Sequence, residues 1–241
     1  MIIIAGPCSL DTYDNAAQVA EALIRIKRGF HSRYNLDFIF KGSFDKANRT
    51  KYSSPRGIGI DEGLDILSKI RKQYLLRTTT DIHATSQIGE VSEVVDIIQI
   101  PAFLSRQTDL IREAAATNKQ INIKKGQWMD FNEINEAAFK VHGLAPEPWI
   151  TDRGTSFGYG LVNDFKLVYD MCQSWRTIFD VTHSCQKSDI KYAVPLARAA
   201  LAVGVHGLFF EVHPDPQKSI SDKDNMIKLD DFEETLERIL E

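Results

Sequence analysis

The 241-residue chain has few cysteines, no excess of positive charge and no long apolar run. Its three cysteines, Cys8, Cys172 and Cys185, have no framework spacing, which excludes a disulfide scaffold and fits a reducing cytoplasm. A net charge of −4 argues against a general nucleic-acid binder, so cationic residues must be judged locally. No run approaches the ~20 residues of a membrane-spanning helix, and no membrane association is expected. Met-Ile-Ile-Ile-Ala-Gly-Pro lacks the basic and long apolar regions of a signal peptide, so none is expected. Low-complexity segments, Pro/Ser linkers and composition breaks are missing, which predicts one domain over residues 1–241. No G-x-S-x-G, Walker or H-E-x-x-H pattern occurs.

What the chain does contain is a regular beat. With 43% hydrophobic and 26% charged residues it can bury a large core. Runs rich in β-branched and aromatic residues recur at Ile2-Ile3-Ile4, Phe38-Ile39-Phe40, Arg77-Thr78-Thr79-Thr80 and Ile97-Ile98-Gln99-Ile100. They continue at Ile121-Asn122-Ile123, Trp149-Ile150-Thr151, Thr177-Ile178-Phe179 and Gly207-Leu208-Phe209-Phe210. Several are continuously apolar, as strands covered on both faces should be. Helical periodicity separates them: Leu64, Leu67 and Ile70; Leu110, Ala114 and Ala115; Leu196, Ala199, Ala200 and Val203; and finally Phe232, Leu236 and Leu240. Gly204 stands where a helix should end. Eight strand-helix units predict an α/β fold, a closed (β/α)8 TIM barrel. An open doubly wound sheet would carry a Gly-rich fingerprint after the first strand, where Gly6-Pro7-Cys8 stands instead.

Active sites of such barrels lie at the C-terminal strand ends. The residues expected there are Cys8, Lys41, Asp81, His83, Gln99, Lys124, Lys125, Arg153, His183, Glu211 and His213. Beyond the second strand, the stretches Lys41 to Thr50 and Ser53 to Gly57 carry Lys41, Lys46, Arg49 and Arg56 among small hydrogen-bonding residues, a loop suited to anions. Read alone it is equally a solvated basic turn. Lys41, Lys46, Lys124 and Arg153, facing one cavity, would repel one another unless an anionic ligand compensated them. They point to a substrate with more than one anionic group. Cys8, His183, Glu211 and Asp222 mix sulfur, nitrogen and oxygen donors, which suit Zn²⁺, Fe²⁺ or Mn²⁺ better than Mg²⁺. Their spacing is no compact motif. A lone Cys is usually a small buried hydrophobe, the reading taken for Cys172 and Cys185, and His31, His142 and His206 read as ordinary core or rim histidines.

These residues fall within segments that resemble the 3-deoxy-D-manno-octulosonate 8-phosphate synthase family over nearly the whole chain. The resemblance runs through Ala5-Gly6-Pro7-Cys8, Lys41 to Thr50, Thr80-Asp81-Ile82-His83 and Gln99-Ile100-Pro101-Ala102-Phe103-Leu104. It extends through Arg106-Gln107-Thr108-Asp109, Asn122 to Gln127, Arg153 to Tyr159, Thr182-His183-Ser184 and Glu211 to Pro216. It implies condensation of phosphoenolpyruvate with arabinose 5-phosphate and release of phosphate, in lipopolysaccharide precursor synthesis. Lys41 and Lys46 would hold the phosphoenolpyruvate carboxylate, and Lys124 and Arg153 its phosphate. Asn48, Arg49 and Thr50 would hold the sugar phosphate, with Ser43, Gln99 and Ala102 also contacting substrate. Arg106 would reach that phosphate from a neighbouring subunit, implying a homo-oligomer, commonly a tetramer. Cys8 resembles the metal-dependent class, with His183, Glu211 and Asp222 completing a divalent-metal site; Asp224 lies close to Asp222. Asp81, His83, His183 and Lys124 are the expected catalytic residues.

The sister 3-deoxy-D-arabino-heptulosonate 7-phosphate synthase, which takes erythrose 4-phosphate, is the alternative. A non-catalytic sugar-phosphate-binding barrel is a lesser one. Two departures stand out. The family's long Gly-rich lid after the seventh strand is nearly absent between Gln186 and Val194, and Gly160-Leu161 follows Tyr159 where the family usually has two Asn residues before Leu.

Overall fold

A computed structural model describes residues 1–185 and 190–241. Strand β1 (Ile2–Gly6) leads to helix α1 (Tyr13–Phe30), β2 (Asp37–Lys41) to α2 (Ile60–Tyr74) and β3 (Arg77–Asp81) to α3 (Ile88–Val94). The alternation continues through β4 (Ile97–Ile100), α4 (Thr108–Ala116), β5 (Gln120–Lys124) and α5 (Phe131–Phe139). After β6 (Trp149–Asp152) a hairpin of β7 (Thr155–Phe157) and β8 (Gly160–Val162) precedes α6 (Phe165–Ser174). β9 (Arg176–Asp180) runs directly into the short α7 (Val181–Ser184). Then come α8 (Ala193–Ala202), β10 (Gly207–His213), the brief β11 (Ile227–Lys228) and α9 (Phe232–Leu240).

Parallel pairing runs β1-β2-β3-β4-β5-β6-β9-β10, and β10 returns to β1 with Ile2 opposite Gly207 and Gly6 opposite Glu211. The eight strands therefore close into the (β/α)8 barrel that the sequence predicts. Side chains alternate between two cores, which is why the strands read as continuous apolar runs. On β1, Ile2 and Ile4 point into the barrel while Ile3 and Ala5 meet the helices. On β10, Phe209 points inward between Leu208 and Phe210, which point out. Ile2, Ile4, Ile39, Ile97, Trp149, Ile178 and Phe209 form the inner plug, and polar residues lie above it toward the C-terminal mouth.

The helix faces differ in detail from the periodicity. On α8 the fully buried positions are Ala193, Ala197 and Ala200; the bulkier Leu196 and Val203 only flank that stripe. Small alanines let the helix approach the barrel closely, and the larger residues fill its edges. On α9, Ile239 is buried and Leu240 partly so. Gly204 adopts φ 97° just beyond α8, as its place in the sequence predicts.

Gly6 illustrates how tightly the strand ends are set. A Cβ there would lie 1.9 Å from the Lys41 carbonyl oxygen. Gly6→Ala is expected to cost about 3 kcal/mol or more in a urea denaturation curve. Gly89→Ala on α3, where a Cβ meets nothing within 4 Å, should be neutral or slightly stabilising.

Candidate active site

The alternation that builds the plug also sorts the polar residues at the strand ends. Lys41, Asp81, Gln99, Lys124 and Glu211 turn inward and line one cavity with Asp45, Lys46, Asn48, His83, Pro101, Ala102, Phe103, Arg153 and His183. Lys125, one residue further along the chain, turns outward. Its ammonium donates to the carbonyls of Gly126 and Gly154 at 3.2 and 3.1 Å and lies 3.4 Å from Asp152, fixing the strand ends together. His213 is likewise engaged elsewhere, accepting from the Asp215 amide at Nδ1 and facing Asp11 across 3.3 Å at Nε2.

A chain of hydrogen bonds crosses the mouth from strand to strand. Thr151 donates to Asn122 (2.8 Å), Asn122 to Gln99 (2.9 Å) and Gln99 to Asp81 (2.6 Å), while Ser43 donates to the other Asp81 oxygen. Burial alone would raise the Asp81 pKa, but Lys41 and Lys46 outweigh it and hold this carboxyl far below the usual range. Asp81 is thus a fixed carboxylate. Beside it, His83 is pushed down by burial against the pull of Asp81 and Asp45, and its buried Nδ1 has no hydrogen-bond partner among the described residues. A neutral imidazole facing a cavity is competent to take up a proton.

The cations share a floor. Lys124 Nζ sits 3.7 Å from the centre of the Phe209 ring and Lys41 Nζ 5.7 Å from it. Lys41 donates to the Cys8 carbonyl at 3.0 Å and lies 3.7 Å from both Asp81 and Glu211. Burial lowers the Lys124 pKa despite the adjoining Asp180 carboxylate, and Lys41 and Arg153 push it further down. Lys46 is pushed down by burial but up by more through Cys8, Glu211 and Asp81. Such mutual repulsion is relieved by a bound anion. Inorganic phosphate affinity should therefore fall with rising pH before the ordinary lysine value of 10.5 is reached, as Lys124 loses its proton. Isothermal titration checks this; a Lys124→Met variant should lose that step.

The four dispersed donor residues converge beside these cations. Ligand atoms of Cys8, Glu211 and Asp222 lie within 4.8 Å of one another, and His183 Nε2 is 3.8 Å from Glu211 Oε1. Glu211 is fully buried and, among the described residues, neither of its oxygens has a hydrogen-bond partner. A bare buried carboxylate is costly unless a cation completes it. Burial, then Glu211 and Asp222, push the Cys8 thiol up, and its Sγ donates to Asp222 at 2.9 Å. A bound cation would displace that proton. Asp222 adopts φ 53°, a strained conformation outside glycine that turns its carboxylate toward Cys8, whereas Asp224 is exposed. The donor set fits a divalent transition metal.

Other expected substrate residues stand apart. Arg49 donates to the Pro55 and Ile220 carbonyls at 2.9 Å and to Ser221 Oγ at 3.2 Å, tying its loop to the one that carries Asp222. Thr50 is exposed, and Arg106 is exposed and 3.2 Å from Glu133. Of the segment between Gln186 and Val194, residues 186–189 lie outside the described residues. Three site residues escaped the sequence reading: Asp45, Asn122 and Asp180. Asn122 and Asp180 share the inward face of Lys124 and Ile178, so strand alternation alone could have found them.

A family model described as the DAHP synthetase I family matches residues 1–241. The 2-dehydro-3-deoxyphosphooctonate aldolase of Rickettsia bellii (strain OSU 85-389) is 42% identical over 249 residues, spanning 98% of this chain and 89% of that protein. The protein of the same name from Granulibacter bethesdensis is 44% identical over 254 residues, with 99% and 87% covered. The one from Campylobacter jejuni (strain RM1221) is 41% identical over 263 residues, with 100% and 96% covered.

Proposed function

The chain belongs to the DAHP synthetase I family, and we propose that it condenses phosphoenolpyruvate with D-arabinose 5-phosphate and water to give 3-deoxy-D-manno-octulosonate 8-phosphate and phosphate. The relatives carry the name of the eight-carbon acid, which favours this reading over the seven-carbon heptulosonate synthase. The observation that carries it is the cavity itself, where Lys41, Lys46, Lys124 and Arg153 crowd one mouth next to an unpartnered Glu211 carboxylate.

In this reading Lys124 and Arg153 hold the phosphoenolpyruvate phosphate, and Lys41 and Lys46 its carboxylate. Asn48, Arg49 and Thr50 take the sugar phosphate, with Arg49 exchanging its present loop contacts for that anion. Phosphoenolpyruvate C3 forms a bond to the aldehyde carbon, whose oxygen gains a proton. Water adds at C2 and gives its proton to the His83 imidazole, which lines the cavity and whose Nδ1 has no partner among the described residues. Asp81, clamped by Ser43 and Gln99, steadies the neighbouring charge. The bond from C2 to the phosphate oxygen of the resulting phosphohemiketal then breaks with its electron pair going to the phosphate, the C2 hydroxyl passes its proton to that phosphate and becomes the ketone, and Lys124 and Arg153 stabilise the departing anion. Cys8, His183, Glu211 and Asp222 would hold a divalent Zn, Fe or Mn ion, which when bound orients and polarises the aldehyde or positions the water.

The enzyme works as a homo-oligomer, commonly a tetramer, with Arg106 reaching a neighbour's site. The exposure of Arg106 and of nearby Phe103 and Trp128 supports that reading. No described helix is long and apolar enough to cross a membrane, and we assign the enzyme to the cytoplasm.

Reaction in ¹⁸O-labelled water, followed by mass spectrometry, tests the chemistry. The label should enter the octulosonate and be missing from the released phosphate. Labelled phosphate, or no eight-carbon product, would contradict it.

A further inference from the structure

Asp180 closes strand β9 and caps α7, and it is fully buried. Its Oδ1 accepts from the His183 backbone amide at 2.9 Å. Its Oδ2 accepts from two side chains at once, the His183 ring at Nδ1 (2.8 Å) and the Lys124 ammonium. One carboxylate therefore reaches two groups whose assigned tasks differ. Lys124 turns from Asp180 across the face of Phe209 toward Lys41 and Arg153, on the anion side of the cavity. His183, fixed at Nδ1, presents Nε2 toward Glu211, on the cation side.

Either partner alone would satisfy a buried aspartate, so the sharing is what needs a reason. A carboxylate holding Nδ1–H fixes the ring tautomer and orientation and raises the basicity of Nε2. The same oxygen gives the Lys124 ammonium one defined direction in a site where Lys41 and Arg153 would otherwise drive it away. We propose that Asp180 is a positioning residue that aligns the phosphate-binding cation Lys124 and the metal-binding His183 together, so that both halves of the site depend on one side chain. This rests on the roles given to Lys124 and His183 above.

The test is Asp180→Asn, which keeps the volume and one acceptor, with Co²⁺ as the metal probe and inorganic phosphate as the anion probe. The variant should bind Co²⁺ about 10–100-fold more weakly, with shifted visible absorption bands. In metal-free protein it should bind phosphate about tenfold more weakly. Simple charge attraction predicts the opposite for phosphate, because a negative group has been removed from beside it. Unchanged or tighter phosphate binding, or unchanged Co²⁺ binding, would overturn the proposal. If wild-type protein itself binds neither probe, the site reading above fails with it; if wild type binds both and the variant binds them equally well, this inference alone fails. Should the variant not fold, ¹⁵N NMR of the wild-type His183 ring decides. A proton held on Nδ1 supports the proposal, and one held on Nε2 overturns it.

Discussion

Chelation of the purified enzyme should lower its turnover at least about a thousandfold, and a divalent transition metal should restore it. The expectation follows from what the fold does with Glu211. Strand β10 turns this carboxylate into a fully buried place where, among the described residues, neither oxygen has a hydrogen-bond donor. Lys41 at 3.7 Å offsets its charge but is too far to form a hydrogen bond. Cys8 and Asp222 close the other side of the group, and His183 Nε2 faces it. Removing one donor should weaken the metal more than the fold: Cys8→Ala should lose activity with little change in thermal midpoint. Full turnover of protein verified as metal-free would refute the metal reading.

Lys41→Met should cost both activity and stability. Lys41 is 2% exposed and stands between Asp81 and Glu211, with its third contact on the Cys8 carbonyl. Methionine preserves most of the volume and takes from two buried carboxylates the ammonium that stands 3.7 Å from each, leaving Lys46 to offset them. Losing one partner of a buried ion pair costs about 3–5 kcal/mol, read as a lower urea midpoint. With the proposed carboxylate contact gone, kcat/KM should drop by about a thousandfold or more. The two losses separate by experiment. A divalent metal that restores the urea midpoint by neutralising Glu211 should leave kcat/KM low.

The barrel was legible because its strands recur as short runs rich in β-branched and aromatic residues, several of them continuously apolar. The hairpin β7–β8 was not, since its three-residue strands are largely exposed and carry no apolar pattern. Inward-pointing charges were legible as strand-end residues: Lys124 was read as facing the cavity and lines it, while the pleat turns Lys125 away. Asp180 reads in sequence as an ordinary strand terminus. Only closure of the sheet brings Lys124, 56 positions away, onto the same oxygen that holds His183. The proposed metal donors were suggested by their mixed side-chain chemistry and strengthened by resemblance, but no motif joined them, because Cys8 and Asp222 are 214 positions apart. Loop residues were hardest. Arg49 pointed to an anion by its chemistry, and in this structure it binds backbone carbonyls and Ser221 instead.

The central claim is that this cavity joins phosphoenolpyruvate to a five-carbon aldose phosphate. The most direct measurement is phosphate release from phosphoenolpyruvate by the metal-loaded enzyme, with arabinose 5-phosphate and erythrose 4-phosphate as competing aldehydes. The account predicts a kcat/KM for arabinose 5-phosphate at least about 100-fold the higher. Equal or greater efficiency with erythrose 4-phosphate, or no phosphate released with either, would contradict it.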